Sequence, residues 1–302
     1  MSLGPLLVAF AYLLLAPPAF LLGPLAGLLA LSRPATLREW AWLAVTAVWL
    51  GAWLEPSGDV VEQLLRAAGV LVAGAFVAVS LGSRAPLFRR AVVALLIAAV
   101  ALVLWGVALR LDWHEVQRVL VRDVAQGFED LARQADEAGG GDTGALLRQM
   151  ADNAPMWATL GPALLFLNAL GGVLLGWSLY HRIAARPVGD PPAAFTAFRF
   201  SDQAVWLPVA GLALVLLPVR PPLHDVGGNL LLVAVAVYAA RGLAVVGAGA
   251  GRLPRVTTAF VTVVALFLLP FVVGGLTLLG LADTWLDFRR RPASPATGGF
   301  DR

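Results

Sequence analysis

The chain has 302 residues, of which 59% are hydrophobic and only 14% charged, with a formal net charge of +3 and a mean hydropathy of +0.80. Soluble globular domains carry about 25% charged residues, so no soluble catalytic domain fits here, and the longest polar stretch is Leu111–Asn153. The small charge, dispersed along the loops, argues against nucleic acid, and the absence of cysteine removes disulfides, thiolate catalysis and Cys-based metal sites.

Eight long runs carry no charged residue: Met1–Ser32, Trp40–Leu54, Ala67–Ser83, Ala91–Leu109, Asn153–Tyr180, Gln203–Val219, Val226–Ala240 and Val256–Ala282. A helix needs about 20 mostly apolar residues to cross the hydrocarbon core, so the shorter runs must stand upright, thin the bilayer or borrow flanking residues. In lipid only helices and closed barrels satisfy their own backbone polar groups. Leu/Ala/Val-rich runs without strict alternation predict helices. The predicted fold is all-α: a polytopic transmembrane helical bundle of eight or nine spans with one amphipathic insertion outside the membrane. The predicted divisions are N-terminal transmembrane helices over 1–110, the insertion over 111–154, C-terminal transmembrane helices over 155–288, and a Pro/Ser/Gly-rich disordered tail over 289–302.

Pro17-Pro18 breaks the first run, because proline removes a backbone donor and clashes with the preceding turn. Ser2–Ala16 and Ala19–Ser32 therefore read as two short helices or one strongly kinked one. Gly23 and Gly27 form a GxxxG step, which lets a neighbouring helix approach closely. Trp42, Trp49 and Trp53 share a face of Trp40–Leu54, as an interfacial aromatic belt would. Glu62 and Arg66 make an i,i+4 pair near the start of Gly58–Leu81, and Arg89-Arg90 open Leu87–Leu109.

Leu111–Ala138 changes character. Trp113, Val116, Leu120, Val124, Phe128 and Leu131 recur every three or four residues and mark one apolar helical face, opposite Glu115, Arg118, Arg122, Glu129 and Arg133. This predicts an amphipathic helix along the membrane surface, with Trp113, Leu120, Val124 and Phe128 buried. Its mixed polar face is not the Lys/Arg-rich face of a lipid anchor, so it should pack on the protein's own spans. The carboxylates Glu129, Asp130, Asp136, Glu137 and Asp142 lack calcium-ligand spacing and read as a solvated face. Gly139-Gly140-Gly141 ends the helix, and Thr143–Ala151 adds a turn or two.

Further on, Pro155–His181 is a span with Asn168 near its middle, and Pro187–Asp202 is an interfacial loop bearing Phe195, Phe198 and Phe200. Trp206–Leu217 is a short span ending before Pro218. Gly227–Ala248 carries Asn229, Tyr238 and Arg241. Arg255–Trp285 is the last span, which Pro270 and Gly274-Gly275 should interrupt. Gly247, Gly249 and Gly251 lie at a helix end, so they are not a dinucleotide turn. The three histidines are far apart, and neither a metal-site motif nor a P-loop is present. The first run lacks the basic start of a cleaved signal peptide. The expected location is a bacterial inner membrane, multi-pass, with no metal and no cofactor.

Arginines cluster in alternate loops, at Arg33/Arg38, Arg84/Arg89/Arg90, Arg182/Arg186/Arg199 and Arg252/Arg255. The positive-inside rule makes these loops cytoplasmic. Nine spans then satisfy it except at Arg289-Arg290-Arg291, whereas eight spans with both termini inside place the arginine loops outside.

The second half carries a resemblance. It rests on Leu167-Asn168-Ala169, on the span with Asn229, Tyr238 and Arg241-Gly242-Leu243-Ala244-Val245-Val246, and on the ending Leu279-Gly280-Leu281-Ala282-Asp283-Thr284-Trp285-Leu286-Asp287-Phe288-Arg289. Over roughly Pro155–Arg291 the chain resembles the YybS-like family of predicted bacterial integral membrane proteins. That family is similar in architecture to the substrate-binding S components of energy-coupling-factor vitamin transporters. The resemblance implies a helical bundle with a small-molecule pocket and a separate energising partner. The longer helix count here departs from the six-helix S component.

Two functions follow. In the first, the chain is a transport or substrate-binding component. Intramembrane ionisable groups are costly, and buried amides need partners. Asn168, Asn229, Tyr238 and Arg241 would then line a polar cavity, with Asp283 as the acidic partner of Arg241 and with Asp283, Asp287 and Arg289 as structural polar groups. The competing reading has Arg241 snorkelling to the interface and the asparagines bonding neighbouring helices. In the second function, the amphipathic helix and the Phe-rich loop recruit other membrane or envelope proteins. An intramembrane enzyme is not expected, because no Ser/His, paired-Asp or His/Glu constellation lies at membrane depth.

Overall fold

The computed structural model describes residues 4–53, 60–250, 264 and 267–288. Arg289 and the tail expected to be disordered lie outside the described residues. The described elements are helical, with no strand among them, and the chain divides into two compact units, Met1–Pro192 and Ala193–Arg302.

The first unit contains α1 (Gly4–Leu15), α2 (Ala19–Leu31), α3 (Leu37–Trp53), α4 (Val60–Gly82), α5 (Leu87–Ala108), α6 (Trp113–Glu137), α7 (Gly141–Asp152), α8 (Ala154–Thr159) and α9 (Gly161–Ile183). The second has short 3-10 turns at Phe195–Ala197 and Asp202–Val205, then α10 (Trp206–Leu216), α11 (Pro221–Ala250) and α12 (Leu269–Leu286). Five of the described helices, α4, α5, α9, α11 and α12, are long and apolar enough to cross a membrane. The other apolar runs form shorter helices: 12 residues in α1, 13 in α2, 17 in α3 and 11 in α10. At about 1.5 Å per residue, α2 reaches only about 20 Å of a hydrocarbon core roughly 30 Å thick.

Pro17-Pro18 separates α1 from α2, and α2 then forms the centre of the first unit. Phe20, Leu21, Leu25 and Leu29 are wholly buried. Lipid tails are as apolar as leucine, so helices in a bilayer are held together by close packing rather than by exclusion from water. Small residues provide that packing on both sides of α2. A methyl group on Gly23 would lie 2.9 Å from Ala73 Cβ of α4, and one on Gly27 would lie 2.8 Å from Val77 Cγ2. On the other side α9 contributes a second such step. A methyl on Gly172 would lie 2.8 Å from the Phe20 carbonyl carbon, and one on Gly176 would lie 2.9 Å from the Leu21 carbonyl oxygen.

The amphipathic segment is one helix, α6, capped by the Asp112 carboxylate, which accepts the His114 backbone N–H at 2.9 Å. The left-handed Gly139 (φ +81°) turns the chain into α7, which is tied back by Arg148 donating to Asp136 at 2.6 Å. The expected burial of Trp113, Leu120, Val124 and Phe128 needs correction. Val119 and Ala132 are the buried positions, Leu120, Val124 and Phe128 are half-buried, and Trp113 stays 45% exposed. The cover over α6 comes mainly from the short helices α7 and α8, with only the edge of α4 behind them, and short helices cannot cover a face of seven turns. Phe128 still packs its ring on Trp157 of α8, at 6.3 Å between centroids. Phe128→Asp is expected to cost about 1–3 kcal/mol, since it puts a carboxylate against that ring without a partner. Thermal unfolding of the full chain in mild detergent measures the effect.

In the second unit one expected interruption of the last span is found and the other is corrected. The chain is helical at Phe267 and turns at Leu268 before α12 begins, so the last span is interrupted where Pro270 led one to expect it. Pro270 stands in the first turn of α12, where the missing N–H is one the helix would leave unpaired anyway. Gly274-Gly275 lies inside an unbroken α12. Two helical glycines cost about 1 kcal/mol each, less than the several kcal/mol per backbone group left unsatisfied in lipid. Pro221 likewise opens α11, which therefore starts six residues before Gly227. At 30 residues α11 is the longest described helix. It packs on α10 through Gly211 and Gly227, where a methyl on either would lie 3.0–3.1 Å from the carbonyl oxygen of the other. It packs on α12 through Gly242 and Gly280. There a methyl on Gly242 would overlap the Leu276 carbonyl, and one on Gly280 the Tyr238 carbonyl.

Candidate functional site

The glycine crossing of α11 and α12 sets up the most polar place in the second unit. Arg241 precedes Gly242, and Asp283 lies three residues beyond Gly280, so the crossing brings their side chains together. Arg241 Nε donates to Asp283 Oδ2 at 2.9 Å, and Nη2 donates to the Asp283 carbonyl oxygen at 3.1 Å. The two side chains are 4% and 0% exposed. Charges withdrawn from water this far persist only when paired and hydrogen-bonded.

The loop before α10 closes over the pair. The Phe200 ring centroid lies 5.2 Å from the Arg241 guanidinium carbon and meets Tyr238 edge-on at 5.1 Å. Cations are attracted to the faces of aromatic rings, so Phe200 completes the desolvated shell of Arg241. Asp202 Oδ1 lies 3.6 Å from Nη1 while its side chain remains 73% exposed. That separation gives a Coulombic contact and is too long for a good hydrogen bond. Arg199 pairs with Asp287, the left-handed residue that ends α12 (φ 39°). The loop is thus fastened at Arg199 and at Asp202, with Phe200 between them.

The structure brings Tyr238, Arg241 and Asp283 together and sets Asp287 one turn beyond. Asn229 precedes Arg241 by 12 residues on the same helix, about 18 Å along its axis, and its amide donates to the Asp225 carbonyl at 2.9 Å. Asn168 lies on α9 in the first unit and is half-buried, and its carbonyl accepts from the Tyr12 hydroxyl at 2.8 Å. Sequence reasoning missed Arg199 and Asp202 as partners. Ser201-Asp202 before an apolar run is a helix-start signal, and the Ser201 hydroxyl does accept the Gln203 N–H, which masks the second role of Asp202.

The first unit contains a polar site that the sequence did not announce. Glu39, in the first turn of α3, is 2% exposed. Its Oε2 accepts the Ala35 and Thr36 N–H groups at 3.0 and 2.8 Å and the Thr36 hydroxyl at 2.7 Å. Thr36 Oγ1 accepts the Glu39 N–H in return, at 3.3 Å, which makes a capping box. Glu39 Oε1 accepts the Ala185 N–H at 2.8 Å and so clamps the start of α3 to the chain leaving α9. The Ala185 N–H first, and the Thr36 hydroxyl next, hold this carboxyl down at about 2 against an ordinary 4.5. A lowered folded-state pKa means the contribution is fully present above about 4.5 and is lost as pH falls toward 2. The wild type is therefore expected to lose stability across that window. Glu39→Gln is expected to be less stable at neutral pH and to lack this part of the acid slope, as measured by unfolding in detergent from neutral pH downward.

Next to this clamp, the end of α9 gathers Trp177, Tyr180 and His181. Trp177 meets Phe76 edge-on at 5.9 Å, and its Nε1 donates to the Asp190 carbonyl at 3.3 Å. The Tyr180 hydroxyl accepts the Val188 N–H at 2.8 Å. Arg90 lies over the Trp177 ring, 4.4 Å from its centroid.

Long apolar helices joined through glycine crossings define a multi-pass α-helical membrane protein. The chain belongs to the family described as predicted membrane protein (DUF2232), whose model matches residues 6–284. No curated protein and no solved structure matches it.

Proposed function

We propose that this chain is a small-molecule-binding component of a membrane transport system, that its second unit holds an anionic ligand, and that a separate chain energises it. Arg241 carries the reading. One side of it is taken by Asp283, and among the described residues the carboxylate nearest its Nη1 is that of the exposed Asp202, at 3.6 Å. A ligand carboxylate or phosphate would replace Asp202 at Nη1 and keep the Asp283 pair intact. The resemblance to YybS-like proteins, and through them to S components, points the same way. On this reading the membrane is a bacterial inner membrane and the protein performs no chemistry on its ligand. The short helices α1, α2, α3 and α10 also enter the bilayer, which brings the five long helices to nine spans.

The test is mass spectrometry of small molecules that co-purify with the full chain in mild detergent. An anion should be recovered with the wild type, lost from Arg241→Gln, and retained or enriched with Asp202→Asn, whose competing charge is gone. Asp202 is exposed and Arg199 still fastens the loop in that variant, and its thermal unfolding checks that the fold is kept. Equal recovery from all three proteins, or none from the wild type, defeats the reading.

A scaffold role is the second reading. It is favoured by Leu131, Leu146 and Met156, which are 50–53% exposed on helices that are not candidate spans. A protein partner that co-purifies in stoichiometric amount and is released by Leu131→Asp, with no small molecule present, would favour it.

A further inference from the structure

We propose that the turn joining α4 to α5 binds a phosphate group at the membrane surface. The turn and the adjoining helix ends surround a depression of about 450 Å³ whose polar lining is Ser83, Arg89 and Arg90. α5 begins there, and Pro86 at its N-cap position supplies no side-chain cap. The first turn of a helix presents N–H groups without intrahelical partners, together with the positive end of the helix dipole, and phosphates bind in such places. Arg90 adds an independent observation. It is 7% exposed, and its Nε–H has no hydrogen-bond partner. Its guanidinium rests on Trp177 and makes no ion pair among the described residues. Asp190 acts on it electrostatically without reaching ion-pair distance. A buried guanidinium that stacks on an aromatic face, with no carboxylate at ion-pair distance, has room for an anion.

The place of the turn at the end of a membrane-crossing helix, where lipid phosphates lie, favours phosphate. Guanidinium groups bind phosphate oxygens through paired N–H donors, and Arg89 lies beside Arg90 at the rim, exposed to solvent. Arg84, Arg89 and Arg90 together mark the start of a membrane-crossing helix, where side chains of this kind settle at headgroup level. The phosphate is that of a phospholipid headgroup or a free phosphate ion. This inference does not depend on Arg241.

Native mass spectrometry of the full chain in detergent tests it, with phosphatidylglycerol as the probe, diacylglycerol as the phosphate-free control and inorganic phosphate as the competitor. Phosphatidylglycerol should stay bound and diacylglycerol should not. Losing one charged donor corresponds to roughly tenfold weaker binding. That loss is expected for Arg89→Gln, which alters only an exposed side chain, and for Arg90→Lys, which keeps the charge but not the planar fork. Lipid retention insensitive to inorganic phosphate assigns the site to headgroups, and displacement by inorganic phosphate assigns it to the free ion. Equal retention of diacylglycerol, or unchanged phosphatidylglycerol binding in both variants, overturns the proposal.

Discussion

Asp283→Leu is expected to destabilise the protein by about 3–5 kcal/mol, because it leaves Arg241 buried and charged without its partner. Asp283 is 1% exposed and supplies two of the acceptors that Arg241 uses, its carboxylate and its carbonyl. The carbonyl survives the substitution, but the counter-charge does not. The double change Arg241→Met with Asp283→Leu should regain most of the loss, since a buried pair replaced by apolar groups of similar volume is often neutral. Removal of the tail after Arg291 should cost far less. Thermal unfolding of the four proteins in one mild detergent compares them directly. A silent Asp283→Leu would mean that Arg241 has another counter-charge or reaches water.

Gly280→Val is expected to be nearly as damaging, with a loss of about 1–3 kcal/mol or more from overpacking. The carbonyl of Tyr238 occupies the space a side chain would need, and the same holds between Gly242 and the Leu276 carbonyl. The helices would have to separate, which would also part Arg241 from Asp283. Gly274→Ala on the same helix meets nothing within 4 Å and should be close to neutral. Comparable losses at Gly274 and Gly280 would refute the crossing.

Residue pattern revealed the helical class, the broken first run and the GxxxG step of α2, because each depends on local composition. It also suggested Arg241 with Asp283, since two charges in apolar helices have few possible partners. What it could not supply was depth and register. Nothing in the sequence pattern marks Glu39, because the Ala185 N–H that it holds comes from 146 residues away. Arg90 reads as one of a loop cluster until Trp177 covers it. Gly274-Gly275 reads as a break because glycine is a poor helix former, yet the backbone groups a break would leave unsatisfied in lipid keep α12 continuous. The half-burial of Phe128 depends on how short α7 and α8 are, which apolar periodicity on α6 does not report.

The Glu39 clamp has a consequence for the order of assembly. Synthesis proceeds from the N-terminus, so α2 can meet α4 through Gly23 and Gly27 soon after both have emerged. Its other face must wait for Gly172 and Gly176, and the start of α3 must wait for Ala185. Contacts this remote in sequence form late. During translation the first unit therefore passes through a stage in which half of its central helix is uncovered. A nascent chain arrested before α9 should remain open to membrane chaperones and proteases, and one arrested past Ala185 should not.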